Sequence, residues 1–322
     1  MQNWNKAALL LAAIAAPVAA HAQAVDGIDA FVSVAAGYNN LNGEKYNVQD
    51  SNGNAYNGGV HASADGLAVD VRGTIAVPVT HLIGAQIDAA FDHNVFKMNA
   101  VDCTACTANK LDDTSLAVHA FVRNPNRGLI GLVAQRTTTS NNNYYGGQTA
   151  YFVGGEGQYY VGPVTAYAQV TYGTVDSSYL SQQGINLQGQ LRYYPLPNLL
   201  IETKGGYERF SSSYFLNGGS DWSQPLKSWM VGAKAEYKLN KLPVSFSVDY
   251  EYRGIKNSYD YAYSGYSYAE NVDYHDSRLM FGVKLNLGHS RTLLQRDRSG
   301  ASLDTVNLLA MQSRTALGGG LD

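Results

Sequence analysis

Few residues of this chain combine the types and the spacing that catalysis requires. His275 and Ser277 flank Asp276, and His61 and Ser63 repeat the same His-x-Ser spacing. In a β-strand this spacing places both side chains on one face, where an imidazole could deprotonate the hydroxyl for nucleophilic attack. Such a short pairing is common by chance. We therefore interpret these residues as polar loop residues, and we predict no catalytic residues and no enzymatic activity.

The first residues have the pattern of an export signal. Lys6 supplies a positive start, an apolar run follows from Ala7 to Val18, and Ala20 to Ala22 provides small residues around a cleavage point. The apolar run is too short to span a bilayer. We predict a signal peptide over residues 1–22 and a mature chain that begins near Gln23.

Cys103 and Cys106 are the only cysteines. An exported chain meets oxidants, which favours a small disulfide between these residues. Two thiols are fewer than the full ligand set of a structural zinc site, so a metal or redox site is the less favoured alternative. The sequence predicts no metal and no cofactor.

The composition is unusual for a soluble domain. Charged residues make up 15% of the chain, against about 25% in a typical soluble domain, while Gly and Tyr are abundant. The net charge of −3 favours neither sign, so nucleic acid is not an expected partner. After the signal no apolar run is long enough for a membrane-spanning helix. No linker divides the next part of the chain, and we predict one domain over residues 23–289.

Apolar residues recur at every second position in segments of about ten residues, which is the period of a β-strand. Between Gly66 and Val77, one face carries Leu67, Val69, Val71, Ile75 and Val77, and the other carries Asp70, Arg72 and Thr74. One face is apolar and the other is ionised. The pattern predicts about twelve strands, near residues 28–38, 66–77, 82–92, 115–123, 129–137, 150–161, 164–173, 185–194, 199–210, 228–239, 244–253 and 277–287.

The links between these segments alternate strictly in length. Short links fall at residues 78–80, 124–127, 162–163, 195–198 and 240–242. Longer links fall at residues 39–65, 93–113, 138–148, 174–183, 211–226 and 254–275. A secreted β-sandwich also alternates along each strand, but it does not require short turns at one end and long loops at the other.

From Ile28 to Leu287 this architecture resembles that of the Gram-negative porin-like outer-membrane β-barrel families. The resemblance implies an all-β, transmembrane, antiparallel up-and-down barrel of about twelve strands in the bacterial outer membrane, with its short turns in the periplasm. It implies a porin-like channel for passive diffusion of small hydrophilic solutes. The implied partners are outer-membrane lipid and lipopolysaccharide, the barrel assembly machinery and those solutes. The segment from Gly282 to Leu287 is similar to the assembly signal of such barrels, although Met280 replaces a polar residue and the chain continues beyond Leu287.

The polar face of the strands predicts which side chains line the lumen. They carry both signs: Asp70, Arg72, Asp88, Arg123, Glu156, Arg192, Glu202, Lys204, Lys234, Glu236, Asp249, Glu251, Arg253, Arg278 and Lys284. Arg136 is also assigned to the interior, which puts Gln135 outside unless the strand contains a bulge. An ionised lumen fits a narrow water-filled pore, which we favour, and it also fits a closed, salt-bridged interior.

Three further alternatives stay open. The Tyr-rich link from Tyr259 to Tyr274 is either an adhesion or recognition surface or a hairpin that extends above the membrane. Some outer-membrane barrels are lipid hydrolases, which keeps that activity as a less favoured reading. Residues 290–322 form a periplasmic tail, with a helix from Leu303 to Leu317 capped by Ser302. This tail either plugs the barrel mouth, contacts another envelope component, or stays disordered.

Overall fold

The computed structural model describes residues 23–49, 55–56, 62–100, 109–141, 147–177, 181–211, 213–216, 220–223, 225–263, 266–288 and 292–308. The predicted signal peptide, His61, the Cys103 and Cys106 pair, and residues 309–322 lie outside this set.

The described chain is almost entirely β-structure. Its strands are β1 (Asp29–Gln49), β2 (Ala55–Tyr56), β3 (Ala62–Pro78), β4 (Ile83–Ala100), β5 (Asn109–Asn124), β6 (Gly128–Asn141), β7 (Gln148–Val161), β8 (Val164–Ser177), β9 (Ser181–Leu196), β10 (Leu199–Ser211), β11 (Ser213–Leu216), β12 (Ser220–Ser223), β13 (Leu226–Lys238), β14 (Val244–Tyr263) and β15 (Tyr266–Asn286). One helix, α1 (Leu293–Ser299), follows them. None of the described helices is long and apolar enough to cross a membrane.

Twelve long strands close into an antiparallel barrel. Each long strand pairs with its neighbour along the chain, and β15 pairs with both β14 and β1. The short strands β2, β11 and β12 extend hairpins outside this ring. Closure leaves none of the twelve long strands at an open edge of the sheet. A sheet in hydrocarbon requires this, because no water is there to satisfy free backbone groups. The predicted fold class and strand number are confirmed.

The two faces of the wall follow the predicted alternation. Ile87, Val231 and Phe281 point outward and are 47%, 53% and 61% exposed, whereas Asp88 and Glu236 point inward and are buried. A one-residue shift of register would exchange these faces. It would also put lysine or arginine into lipid, at about 2 to 4 kcal/mol for each charge near the midplane.

One predicted inward residue was wrong. Arg136 faces outward, with its guanidinium 5.9 Å from the ring centre of Tyr151, and Gln135 is buried inside. The pairing of β6 with both neighbours continues without a shift, so this strand contains no bulge. Arg136 lies opposite the exposed Tyr151 of β7, and a long side chain beside an interfacial tyrosine can reach the polar edge of the membrane.

The two ends of the barrel differ. At what we call the short-turn end, strands are joined by residues 79–82, 125–127, 162–163, 197–198 and 239–243. At the opposite, projecting end, the strands continue beyond their predicted bounds. The hairpin of β14 and β15 reaches Tyr263 and Tyr266, and Tyr261 lies opposite Tyr268 in its register. The interpretation of the Tyr-rich segment as a hairpin extension is confirmed.

The prediction for the C-terminal tail was wrong in two respects for its described residues. The helix lies at Leu293–Ser299, not from Leu303 onward, because the Thr292 side chain caps it by accepting a hydrogen bond from the Gln295 amide. Residues 301–308 are not helical. They lie inside the barrel rather than in the periplasm. In the lumen, polar side chains of the wall bind their backbone groups. The plug alternative describes these residues.

Candidate functional site in the barrel lumen

The inner wall from β9 to β15 carries a network of opposite charges. Its pairs are Arg192 with Glu202 at 3.2 Å, Lys204 with Asp249 at 2.7 Å and with Glu251 at 2.6 Å, Arg253 with Glu251, Lys234 with Glu236 at 3.4 Å, and Lys284 with Glu236 at 2.7 Å. Arg72 pairs with Asp70 at 2.8 Å, and Arg278 with Asp92 at 2.5 Å. Of these pairs, Arg192 and Glu202 face each other on adjacent strands. Arg72, Lys234 and Arg253 pair with carboxylates two residues away on their own strands. The long side chains of Lys204, Lys284 and Arg278 reach across the lumen-facing surface to strands that are not their neighbours.

The wall from β4 to β7 carries a histidine bound by two carboxylates instead of lysine or arginine ion pairs. The buried ring of His119 lies between two carboxylates, with Nδ1 2.7 Å from Glu156 Oε1 and Nε2 2.9 Å from Asp88 Oδ2. Gln86 donates from Nε2 to Asp88 at 3.0 Å. These groups stand on β4, β5 and β7, and they face the C-terminal tail.

The tail enters at the short-turn end, where α1 is fixed to several strands. Arg296 donates from Nε to Asp29 Oδ2 at 3.1 Å, and the Leu294 amide donates to the Pro197 carbonyl at 3.0 Å. Arg298 donates to the carbonyls of Gly162 and Val164, at 2.9 Å each. The helix therefore lies across the barrel mouth.

Beyond α1 the wall binds the backbone of the tail through side-chain amides. Gln86 donates to the Leu303 carbonyl at 2.8 Å and accepts from the Leu303 amide at 3.2 Å. Gln135 binds the carbonyl and the amide of Val306 in the same way, at 3.0 Å and 2.5 Å. Single bonds from Gln158, Gln169 and Asn186 reach the carbonyls of Ser302, Asp304 and Asn307. The wall thus supplies hydrogen-bond partners for backbone N–H and C=O groups of the tail that would otherwise be buried without them.

Two arginines of the wall have partners in the tail. Arg192 pairs with Asp297 at 2.9 Å and with Asp304, and it donates to the Ser302 carbonyl at 2.8 Å. Arg123 donates to the Gly300 carbonyl and to Ser302 Oγ, at 2.7 Å each. Both guanidiniums are buried. Their charge is therefore matched largely by groups that the tail supplies.

The described part of the tail reaches an apolar cluster toward the projecting end. Val306 and Leu308 cluster with inward residues of five strands: Ala150, Phe152, Val175, Phe210, Leu226 and Ile255. At this level the outer face carries Tyr151 and Trp229, and Trp229 contacts Tyr252 at a ring-centre distance of 5.6 Å. Aromatic residues of this kind mark the membrane interface. The cluster therefore lies near the upper edge of the apolar band.

The tail does not fill the lumen. A cavity of about 240 Å³ remains between residues 304–308 and the inward residues of β1, β3 to β6, β9, β10 and β13 to β15. Charged residues of the network line it, among them Arg72, Lys234 and Asp249. The side chain of Arg72 is 50% exposed within it. The space next to the tail is therefore polar and large enough to hold several waters.

Apart from Arg136, every predicted lumen residue lies on the inner face, and the structure joins most of them into the pairs above. The sequence reasoning selected charges only, so it missed His119, Gln135 and the other amides that bind the tail. The alternation of inward and outward positions along each strand could have identified them, since they occupy inward positions. It could not have identified Asp297 and Asp304, because nothing in the strand pattern places the tail inside the barrel.

The candidate hydrolase residues do not assemble into a triad. His275 stacks on Tyr252 on the outer face, with ring centres 5.7 Å apart. Asp276 points inward, where it lies 3.8 Å from Arg253. Strand alternation forces this separation, because residues next to each other in sequence face opposite sides. His61 lies outside the described residues, and no cluster of metal-binding side chains occurs among those described.

The comparisons with known proteins agree with this architecture. The sequence matches no protein-family model and no curated protein. An outer-membrane channel from Pseudomonas putida F1 is 11% identical, with 84% of this chain and 100% of that chain covered and a TM-score of 0.52. The translocator domain of the autotransporter NalP from Neisseria meningitidis is 14% identical, covers 88% and 95%, and has a TM-score of 0.43. The outer-membrane protease OmpT from Escherichia coli is 12% identical, covers 83% and 99%, and has a TM-score of 0.38.

At these identities the likeness concerns the fold alone. The closed wall and its apolar outer face define the chain as a β-barrel of the bacterial outer membrane. The predicted localisation is confirmed.

Proposed function

We propose that the chain is an outer-membrane channel for passive diffusion of small hydrophilic solutes, in which the C-terminal tail acts as a plug. The observation that carries the proposal is the charged wall around the 240 Å³ cavity. Lys204, Asp249 and Glu251 face this water-accessible space rather than the tail. A lumen lined by ions of both signs is suited to polar solutes, which exchange their hydration for wall contacts.

Withdrawal of the tail would turn the cavity into a passage. Residues 301–308 occupy the lumen between the charged network and the amides of β4 to β9. The plug is held by hydrogen bonds and ion pairs, which form and break without covalent change. Outer-membrane lipid, lipopolysaccharide and the barrel assembly machinery are the further partners of this proposal, and we expect no hydrolytic activity.

A closed structural or recognition barrel is the second candidate, and a specific observation favours it. The tail satisfies Arg123 and Arg192, which would lose partners if it left. On this alternative the tail is a permanent part of the barrel, and the projecting hairpins are the functional surface.

Planar-bilayer recording separates the two candidates. We compare the full chain with a variant that ends at residue 289. Passive diffusion predicts that removing the tail raises the single-channel conductance. Lack of conductance in both proteins, after folding is verified by the heat-dependent gel shift of intact barrels, would exclude the channel and favour the closed barrel.

A further inference from the structure

We propose that the inner wall that holds residues 300–308 is a binding site for extended peptides from outside the chain, and that short acidic peptides are the solute class of the channel. The tail then occupies this site as an internal ligand. Use of the site by such solutes rests on the proposed function, because the tail must leave the lumen before another peptide enters.

The wall binds the main chain of the tail through buried side-chain amides on five strands, β4 and β6 to β9. Gln86 and Gln135 each bind both backbone groups of one tail residue, and Gln158, Gln169 and Asn186 each bind one carbonyl. Backbone N–H and C=O groups are common to all peptides. These contacts therefore select an extended conformation rather than one sequence.

The wall itself orients these amides. Gln86 donates to Asp88 at 3.0 Å, and Gln135 donates to Thr137 at 2.9 Å, in each case two positions further along the same strand. Because these partners belong to the wall, they hold the amides in place whether or not the tail is docked. Donors and acceptors that are already oriented lose little entropy when a peptide binds. The site is therefore a property of the barrel and not only of its own tail.

Side-chain contacts define which peptides fit this site. Arg192, whose guanidinium is buried, pairs with the carboxylate of Asp304. Leu303 packs in one apolar cluster of the wall, and Val306 and Leu308 pack in another. The preferred peptide therefore has an acidic residue directly after an apolar one, with further apolar residues two and four positions beyond the acid.

A full-length variant with a native wall and a weakened tail provides the test protein. Asp297→Asn and Asp304→Asn together remove both ion pairs through which Arg192 holds the tail. Tryptic cleavage after Arg296 and Arg298 should be faster than in the wild-type protein, which verifies that the tail leaves the lumen. A tail as resistant as the wild-type tail would overturn the proposal, since acidic side chains would then not be what the wall recognises.

The probe is a fluorescent peptide with the sequence of residues 300–308 and blocked ends. Fluorescence anisotropy follows its binding to the folded double variant, and we expect saturable binding. A peptide that carries Asp304→Asn should bind at least about tenfold more weakly, because Arg192 then has no carboxylate to pair with.

A second pair of peptides tests recognition of the backbone. Methylation of the backbone nitrogens of Leu303 and Val306 leaves the side chains intact but removes the donors to Gln86 and Gln135, and it should weaken binding by at least about tenfold. The matched control is methylation at Thr305, whose backbone nitrogen donates to none of the described wall residues. This control peptide should bind like the unmodified one.

Absence of saturable binding, or equal binding of all these peptides, would overturn the inference. Conductance of the chain that ends at residue 289 tests the channel separately. Conductance without peptide binding would leave the channel and remove the peptide site. Peptide binding without conductance would support the site and contradict the proposed function.

Discussion

Replacing Arg192 by glutamine should release the tail from the lumen. In the wild-type protein this guanidinium pairs with Asp297 and Asp304 of the tail and with Glu202 of the wall. Glutamine keeps polarity and most of the length but removes the charge. The buried carboxylate of Asp297 then loses an ion pair that only the docked tail can form.

The size of the effect follows from that burial. Removing one partner of a buried ion pair destabilises by about 3 to 5 kcal/mol. The lower end applies here, because the Asp304 side chain is 42% exposed and Glu202 stays beside position 192 whether or not the tail is docked. A change of about 3 kcal/mol in the docking free energy raises the undocked population about a hundredfold.

Limited trypsin digestion measures that population. The bonds after Arg296 and Arg298 lie inside the barrel mouth when the tail is docked, so cleavage requires undocking. When docking is fast relative to cleavage, the cleavage rate follows the undocked population. We expect cleavage at these sites to accelerate about a hundredfold in the Arg192→Gln protein.

Arg278→Gln provides the matched control. Arg278 is equally buried and pairs with Asp92, a wall residue. Its replacement should weaken the wall without a comparable rise in tail cleavage. Equal cleavage rates in the Arg192→Gln protein and the wild-type protein would refute the role of Arg192 in holding the tail.

Three more perturbations test other parts of the structure. Gln135→Leu removes both hydrogen bonds to the Val306 backbone, and each unsatisfied buried group costs about 1 to 3 kcal/mol. Tryptic cleavage of the tail should therefore accelerate by at least tenfold. Unchanged cleavage would show that this side-chain amide does not hold the tail. Val231→Lys puts a charge on the lipid face and should lower the free energy of unfolding in liposomes by about 2 to 4 kcal/mol. Ser247→Lys, at a position that faces the cavity, should change this free energy far less. Similar losses in the two proteins would mean that the faces are assigned incorrectly. Gly184→Ala would place a Cβ 2.1 Å from the Arg209 carbonyl oxygen and should destabilise the folded barrel by about 1 to 3 kcal/mol. In the control, Gly73→Ala, the added Cβ meets nothing within 4 Å. Equal unfolding midpoints for the two proteins would contradict the close packing at Gly184.

The barrel wall was predictable because lipid imposes a strict rule on each strand. An apolar residue at every second position fixed the outward face of Leu67, Val71 and Ile87, and with it the inward face of Asp70 and Asp88. The exception, Arg136, lies on the outer face beside the exposed Tyr151, and the rule weakens at such a position because a long cationic side chain can reach the polar interface. Link lengths then fixed which strand ends share one side of the membrane.

The tail was not predictable in the same way. Leu303, Val306 and Ala310 match a helical spacing in the sequence, and an isolated segment with that spacing favours a helix. Inside the barrel the backbone finds other partners, since Gln86 and Gln135 bind the groups that a helix would pair within itself. Contacts between residues separated by more than a hundred positions decided the conformation, and no local pattern records them.

Crosslinking of the tail to the wall tests the central claim most directly. The side-chain amide nitrogen of Asn307 lies 3.8 Å from the Met230 sulfur on β13. If the tail stayed in the periplasm, residue 307 would be far from Met230. In a C103S/C106S background that carries Met230→Cys and Asn307→Cys, a short bis-maleimide should join the two positions in isolated outer membranes and alter the gel mobility of the denatured chain. A folded barrel in which both cysteines react with single maleimides but never crosslink would contradict a tail inside the lumen.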